Sequence, residues 1–365
     1  MNGQTSEKRR TPPWGRVVLV AVVALLVAGT GMVLIPRDSG TPPSVPFSET
    51  ARIVALKDTL LLRESATLLA EASASDAGKP TLGNAVTLLT THAQALQGPS
   101  GVASRAPSST GPATADQESA ATPTSRASFL TGLADSGQKR LDDAREADGG
   151  IARLLAAVGT AQLLQAERLA AEWQLLLPQR PTAADTHSPA ETPLAASCPS
   201  ASPTPEPTSA TTDTALAAVV RSQQEAIYVY QVALKRLDTS NSATAAKYLQ
   251  MHEAQLQQAE SLTSANCAEA PHGEAGYRLP EQFAQDPAAF LGSVERALLP
   301  RLGDLVALST DETRTWAVDG LLAAARRSTA WGAALPELPG LMFDVGELPS
   351  LPTPTTTPAS TSDGG

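Results

Sequence analysis

Aromatic residues make up only 4% of the sequence, and its 365 positions hold two cysteines and four histidines. The His and Cys residues are scattered rather than clustered, which excludes a zinc site built on neighbouring ligands. Basic residues are also in deficit: 27 Lys and Arg stand against 37 Asp and Glu, giving a net charge of −10. A chain of that sign has no broad attraction for nucleic acid or anionic lipid. It also lacks the interleaved basic and aromatic residues of a nucleic-acid surface. Glycine-rich phosphate loops, G-x-S-x-G elbows and helical H-E-x-x-H motifs are all missing. What is plentiful is Ala, Leu, Thr and Pro. That mixture reads as Ala/Leu-rich helices joined by Pro/Ser/Thr segments too poor in apolar surface to fold. The length exceeds one typical core and suggests two domains with accessory segments.

The one long apolar run lies near the N-terminus. Residues 1–16 end in a basic stretch with Lys8, Arg9, Arg10 and Arg16, and residues 17–35 carry no charge. At about 1.5 Å per residue, a helix over that run spans roughly the 30 Å of a bilayer's hydrocarbon. A helix pairs all its backbone amides internally, as hydrocarbon demands. The basic excess on the N-terminal side predicts a cytoplasmic N-terminus and an extracytoplasmic remainder, with the lipid bilayer as the partner of residues 17–35. A cleaved signal peptide is the competing reading, with Val27, Ala28 and Gly29 as a weak cleavage site. The apolar core is longer than a usual signal sequence, which favours the anchor.

Residues 98–126, 179–212 and 346–365 are rich in Pro, Ser, Thr or Gly and read as a disordered loop, a linker and a disordered tail. Between them lie an N-terminal block, 46–178, and a C-terminal block, 213–345, each with about four helical stretches. In the C-terminal block the first helix shows a seam of Leu216, Val220, Ile227, Tyr230, Leu234 and Leu237, interrupted by Gln223. The second runs over about 242–262, with Ala245, Leu249, His252, Leu256 and Ala259 on one face. The third opens at Asp286 and Pro287, an N-cap followed by proline at the first helical position. Pro300 is expected to kink it. The fourth begins near Ser309, which forms a capping box with Glu312, and ends before Pro336. Four such helices suggest a four-helix bundle.

The N-terminal block repeats this design in worn form. His92 and His252 are 160 residues apart, each three residues after a Leu; Phe129 and Phe290, and Glu64 and Glu225, are 161 apart. Arg140 with Leu141 answers Arg301 with Leu302 at the same separation, and the Leu-Leu-Ala-Ala runs at 154–157 and 321–324 follow in order. An internal duplication accounts for the shared order.

Several motifs of the C-terminal block carry a resemblance. They are Glu225, Tyr228 and Tyr230 in the first helix, Met251, His252 and Glu253 in the second, and the stretch from Tyr277 to Pro280. The capped third helix, then Ala330 with Trp331, and Pro339, Gly340 and Leu341 complete the set. In this order they resemble an actinobacterial ferritin-like domain family of unknown function, over about residues 213–341. The resemblance implies an all-α, ferritin-like four-helix bundle, and the duplication read above would place a diverged copy in tandem before it. It brings no established activity.

Ferritin-like bundles that bind two iron or manganese ions use a Glu from each of two helices and Glu-x-x-His from each of the others. No helix here has that spacing: Leu89 precedes His92 and Leu249 precedes His252, while Glu269 with His272 is broken by Pro271. A standard di-metal centre is therefore not expected. The candidate polar-core or ligand residues are Glu225, His252, Glu253 and Tyr230, with His92 and Glu64 as their N-terminal counterparts. The plainer reading makes both histidines core residues bonded to a neighbouring helix, and Glu225 a surface residue. Glu295 and Asp319 have no matched partner and read as solvated carboxylates. Trp316, Trp331 and Tyr248 read as packing. Cys198 and Cys267 are candidates for a disulfide, permitted outside the cytoplasm. The function these features favour is a non-enzymatic binding or envelope-interaction module without a cofactor, partnered by an envelope protein or small ligand. The alternative is a metal- or cofactor-dependent oxidoreductase using iron or manganese on a non-standard set of His252, Glu253, Glu225 and Glu295. A pure spacer is the third reading.

Overall fold

The structure is a computed structural model that describes residues 45–73, 79–97, 125–177 and 210–351. The chain divides into two compact units, residues 1–45 and 46–365, and all the described helices belong to the second. The expected membrane segment 17–35 lies outside the described residues, as do Cys198 and most of the Pro/Ser/Thr segments. Among the described residues no helix is long and apolar enough to cross a membrane.

The regular structure among those residues is all helical, with no strand. The N-terminal half contains α1 (Phe47–Ala72), α2 (Lys79–Gln97), α3 (Arg126–Glu146) and α4 (Gly149–Trp173). The C-terminal half contains α5 (Thr212–Ala233), α6 (Thr239–Ala265), the short α7 (Glu281–Gln285), α8 (Pro287–Leu308) and α9 (Asp311–Ala330). A 3-10 turn, Val345–Glu347, follows at the start of the segment 346–365 expected to be disordered.

Side-chain oxygens set four of the helix starts. Ser125 and Thr211 each form a reciprocal capping box, with Ser128 and Thr214. Asp238 and Asp286 accept from the backbone N–H groups of Asn241 and Ala289. Such caps satisfy amides that the first turn leaves unpaired. The box expected at Ser309 does not form. Ser309 is buried and its hydroxyl donates to the Leu305 carbonyl at 2.5 Å, so Thr310 takes the N-cap position without a side-chain bond. Pro300 does not break α8, which runs on through it to Leu308.

In the N-terminal half α1 packs on α2, α3 and α4, and α3 on α4. In the C-terminal half α5 packs on α6 and α8, and α8 on α9. Helices start at 47, 79, 126 and 149 in the first half and at 212, 239, 287 and 311 in the second, a shift of about 160–165 each time. A hydroxyl near the start of each half's first helix ties down the corresponding corner. Ser48 donates to Asp148 between α3 and α4 at 2.8 Å, and Thr212 donates to the carbonyl of Leu308, the last residue of α8, at 2.5 Å.

The halves are packed against each other, α4 lying on α8 and α9, and α3 on α9. One apolar core runs through both: Leu141, Leu155 and Val158 share it with Leu216, Leu302 and Leu321. Each such buried side chain stabilises the fold by about 1.5–3 kcal/mol relative to exposure. Ion pairs rim the contact, Arg153 with Asp304 and Arg145 with Asp319 at 2.7 Å, and Arg326 with Glu167 at 2.5 Å. Asp319 is thus exposed, as expected, but paired. Buried Arg314 donates to the Ala147 carbonyl across the same contact.

After α9 the chain returns across this contact as a strap, residues 336–341. Leu338 enters the shared core. The Glu337 carbonyl lies 2.8 Å from Nε2 of His92, and Arg153 Nε donates to the Gly340 carbonyl at 2.8 Å. Gly340 has φ +89, a conformation open mainly to glycine. Opposite it, a Cβ on Gly303 of α8 would overlap the Gly340 carbonyl.

Candidate functional site

The four long helices of the C-terminal half each send polar side chains into one buried cluster. Helix α5 supplies Gln223 and Tyr230, two turns apart on one face; α6 supplies His252 and Gln255; α8 supplies Glu295; α9 supplies Arg327 and, at its C-cap, Trp331. Gln223, Tyr230, His252, Glu295, Arg327 and Trp331 are all buried. Glu295 is the hub. Its Oε1 accepts from the Tyr230 hydroxyl at 2.7 Å and lies 2.8 Å from His252 Nε2; its Oε2 accepts from Arg327 Nε at 2.9 Å. Trp331 Nε1 donates to the Tyr230 oxygen at 2.7 Å.

Groups that can only donate fix the direction of the other bonds. Arg327 Nη2 reaches Gln255 Oε1 at 3.3 Å, so the Gln223 atom 3.3 Å from that oxygen is its amide nitrogen. Gln223 Oε1 is then an acceptor and lies 2.7 Å from His252 Nδ1. His252 therefore stands between two acceptors, the Gln223 oxygen and the Glu295 carboxylate. Burial pushes the Glu295 carboxyl up. The bond from His252, the charge of Arg327 and the Tyr230 hydroxyl outweigh it and hold the group below the usual carboxylate range. The Tyr230 hydroxyl is raised, first by burial and then by the Glu295 charge.

Of the residues singled out from the sequence, His252 and Tyr230 enter this cluster. Glu225, Glu253 and Glu64 are exposed and do not. Glu295 reverses the sequence expectation: it is fully buried and multiply partnered, where a solvated carboxylate had been expected. Gln223 and Arg327 were not anticipated as cluster members. The packing residues behave as packing: Tyr248 sits edge-on to Trp331 at 6.0 Å, and half-buried Trp316 donates to Gln258 at 2.8 Å.

His92 is buried as well, but in different surroundings. Among the described residues its one hydrogen-bond contact is the Glu337 carbonyl, which accepts from Nε2, and Nδ1 has no partner there. Burial pulls its pKa down to about 4, against a smaller upward effect of that bond. The charged centre of the N-terminal half is instead Arg140, fully buried between Asp58 at 3.2 Å and Asp143 at 3.0 Å. Cys267 is disulfide-bonded and has φ 59; Cys198, its expected partner, lies outside the described residues.

The donor set does not fit a metal centre. A dinuclear site needs several carboxylates and imidazoles with free lone pairs. Here both Glu295 oxygens and both His252 nitrogens are engaged within the protein, and a guanidinium stands against the carboxylate. Among the described residues no group of three or more His, Cys, Asp or Glu side chains is placed to hold an ion. What the cluster can do is hold four helices in one register, because each contributes a group whose loss leaves a buried partner unsatisfied.

Residues 215–342, from α5 to the end of the strap, match the family described as Domain of unknown function (DUF4439). No curated protein and no solved structure matches the chain. The polar cluster lies within the residues that match this family.

Proposed function

We propose that this protein is a membrane-anchored, extracytoplasmic binding module that acts without catalysis, its buried ion cluster serving to hold the domain in shape. In this reading each half is a ferritin-like four-helix bundle, the first a diverged copy of the second, and residues 17–35 are the anchor. The observation that carries the non-catalytic reading is the saturation of Glu295 and His252 by Tyr230, Arg327 and Gln223, away from solvent. Matching helix starts and matching Ser48 and Thr212 ties support the duplication. A disulfide at Cys267 supports an oxidising compartment, since disulfides persist outside the cytoplasm. Pairing with Cys198 is expected, and alkylation of the unreduced chain should then label neither thiol.

The test uses full-length chain extracted from membranes in detergent. It should capture a reproducible envelope protein or small ligand and hold iron and manganese well below one ion per chain. Capture should survive Glu295→Gln if the fold does, because the cluster does not face the partner. Stoichiometric iron or manganese lost with His252→Ala would overturn the reading in favour of an oxidoreductase. Recovery of the chain from cytosol without detergent would remove the anchor.

A further inference from the structure

Helix α1 has two faces. Ala51, Ala55, Leu62 and Ala66 are buried toward the core. Directly opposite runs an outward seam of Ile53, Lys57, Leu60, Leu61, Glu64 and Leu68. Ile53 is 45% exposed, Leu60 38% and Leu68 49%, while Leu61 is half-buried and Lys57 and Glu64 are exposed. A surface helix ordinarily turns its polar stripe outward. This one places apolar side chains there at three- and four-residue steps, the spacing of a helix–helix seam. Neither Lys57 nor Glu64 makes an ion pair within the chain among the described residues.

The seam is complementary to itself when reversed. Turned end for end about a point between Leu60 and Leu61, it places Lys57 opposite the partner's Glu64. The same operation places Ile53 opposite the partner's Leu68, and Leu60 opposite the partner's Leu61. Every position meets either an apolar residue or the opposite charge. An isologous two-fold contact requires this kind of self-match. A parallel pairing would set Lys57 against the partner's Lys57, at a cost. We infer that α1 pairs antiparallel with α1 of a second copy of this chain, about a two-fold axis at Leu60 and Leu61. A single helix pair is small beside a standard interface, so the dimer is reversible, and the two Lys–Glu pairs set its orientation more than its strength.

The test follows the charges and the axis in the full-length chain in detergent. Lys57→Glu should weaken self-association about tenfold or more, since two attractive pairs become repulsive. Glu64→Lys should do the same, and the double variant carrying both changes should restore wild-type association. Oxidising Leu61→Cys should give a covalent dimer. Ile53→Cys alone should not, because its two copies lie roughly 20 Å apart along the helices, whereas a mixture of Ile53→Cys and Leu68→Cys chains should. A monomer at all concentrations, association indifferent to Lys57→Glu, or self-crosslinking of Ile53→Cys would each overturn the proposal.

Discussion

Glu295 lies among apolar neighbours on α8, with Leu291 one turn before it and Leu298 one turn after, both buried. Its charge is answered from three other helices by Tyr230, His252 and Arg327. Removing that charge leaves Arg327 buried and uncompensated, a loss of about 3–5 kcal/mol in comparable buried pairs. Glu295→Ala should therefore lower the unfolding free energy by that order in urea titration, whereas Glu225→Ala, on the surface, should change it by less than about 0.5 kcal/mol. His92 adds a pH dependence. Its folded pKa of about 4 lies below the ordinary histidine value, so the unfolded chain binds the proton first. Stability is then complete above about pH 6.5 and falls as the pH drops toward 4, by about 3 kcal/mol in all. His92→Gln keeps a donor for the Glu337 carbonyl and should flatten the stability profile in that window.

At this scale the sequence is half legible. His252 is visible as an imidazole on an apolar stripe, and Tyr230 as part of a seam. Glu295 sits on an equally regular stripe, with Leu291, Leu298 and Leu302, yet charge alone suggested solvent. The missing information is which helices face each other: Arg327 reaches Glu295 from 32 residues away and Tyr230 from 65. A charge inside an apolar periodicity was the available signal, as was Gln223 interrupting the α5 seam.

Elements are more legible than contacts. The Asp286 cap with Pro287 is local chemistry and reads directly, and the structure places α8 from Pro287. The start of α9 reads less well because Ser309, a good cap by type, spends its hydroxyl on the Leu305 carbonyl behind it. The loop after α6 folds one short turn, α7, which seats buried Phe283 against Phe290 at 5.6 Å. The strap depends on one position of α8: nothing larger than hydrogen fits at Gly303 without displacing the Gly340 carbonyl and Arg153. Gly303→Ala should cost about 1–3 kcal/mol, as overpacking does. It should also raise amide exchange over residues 336–341 while leaving α1 unchanged, and unaltered exchange in the strap would contradict this account.

For the whole molecule, the consequential fact is the shared core. Sequence periodicity outlines two blocks of helices but not their mutual packing, since an Ala/Leu face looks the same whether it meets its own block or the other. Here Leu141 and Leu155 of one half sit with Leu302 and Leu321 of the other. A common core predicts one cooperative transition. Trp173 reports on the N-terminal half and Trp331 on the C-terminal half, so single-tryptophan variants retaining one or the other should melt at the same temperature. Two separated transitions would mean independently folding halves.

The strap also gives the fold a direction in time. His92 and Arg153 are made early, yet the carbonyls they bind belong to Glu337 and Gly340, near the end of the described chain. While the protein is being synthesised, the N-terminal half must wait with an unmet imidazole, and with Arg153 held by no more than its ion pair to Asp304, until about 180 further residues past Arg153 have emerged. A ribosome stalled before position 336 would thus hold a first half that is helical but unlatched, open to proteases that the finished molecule resists.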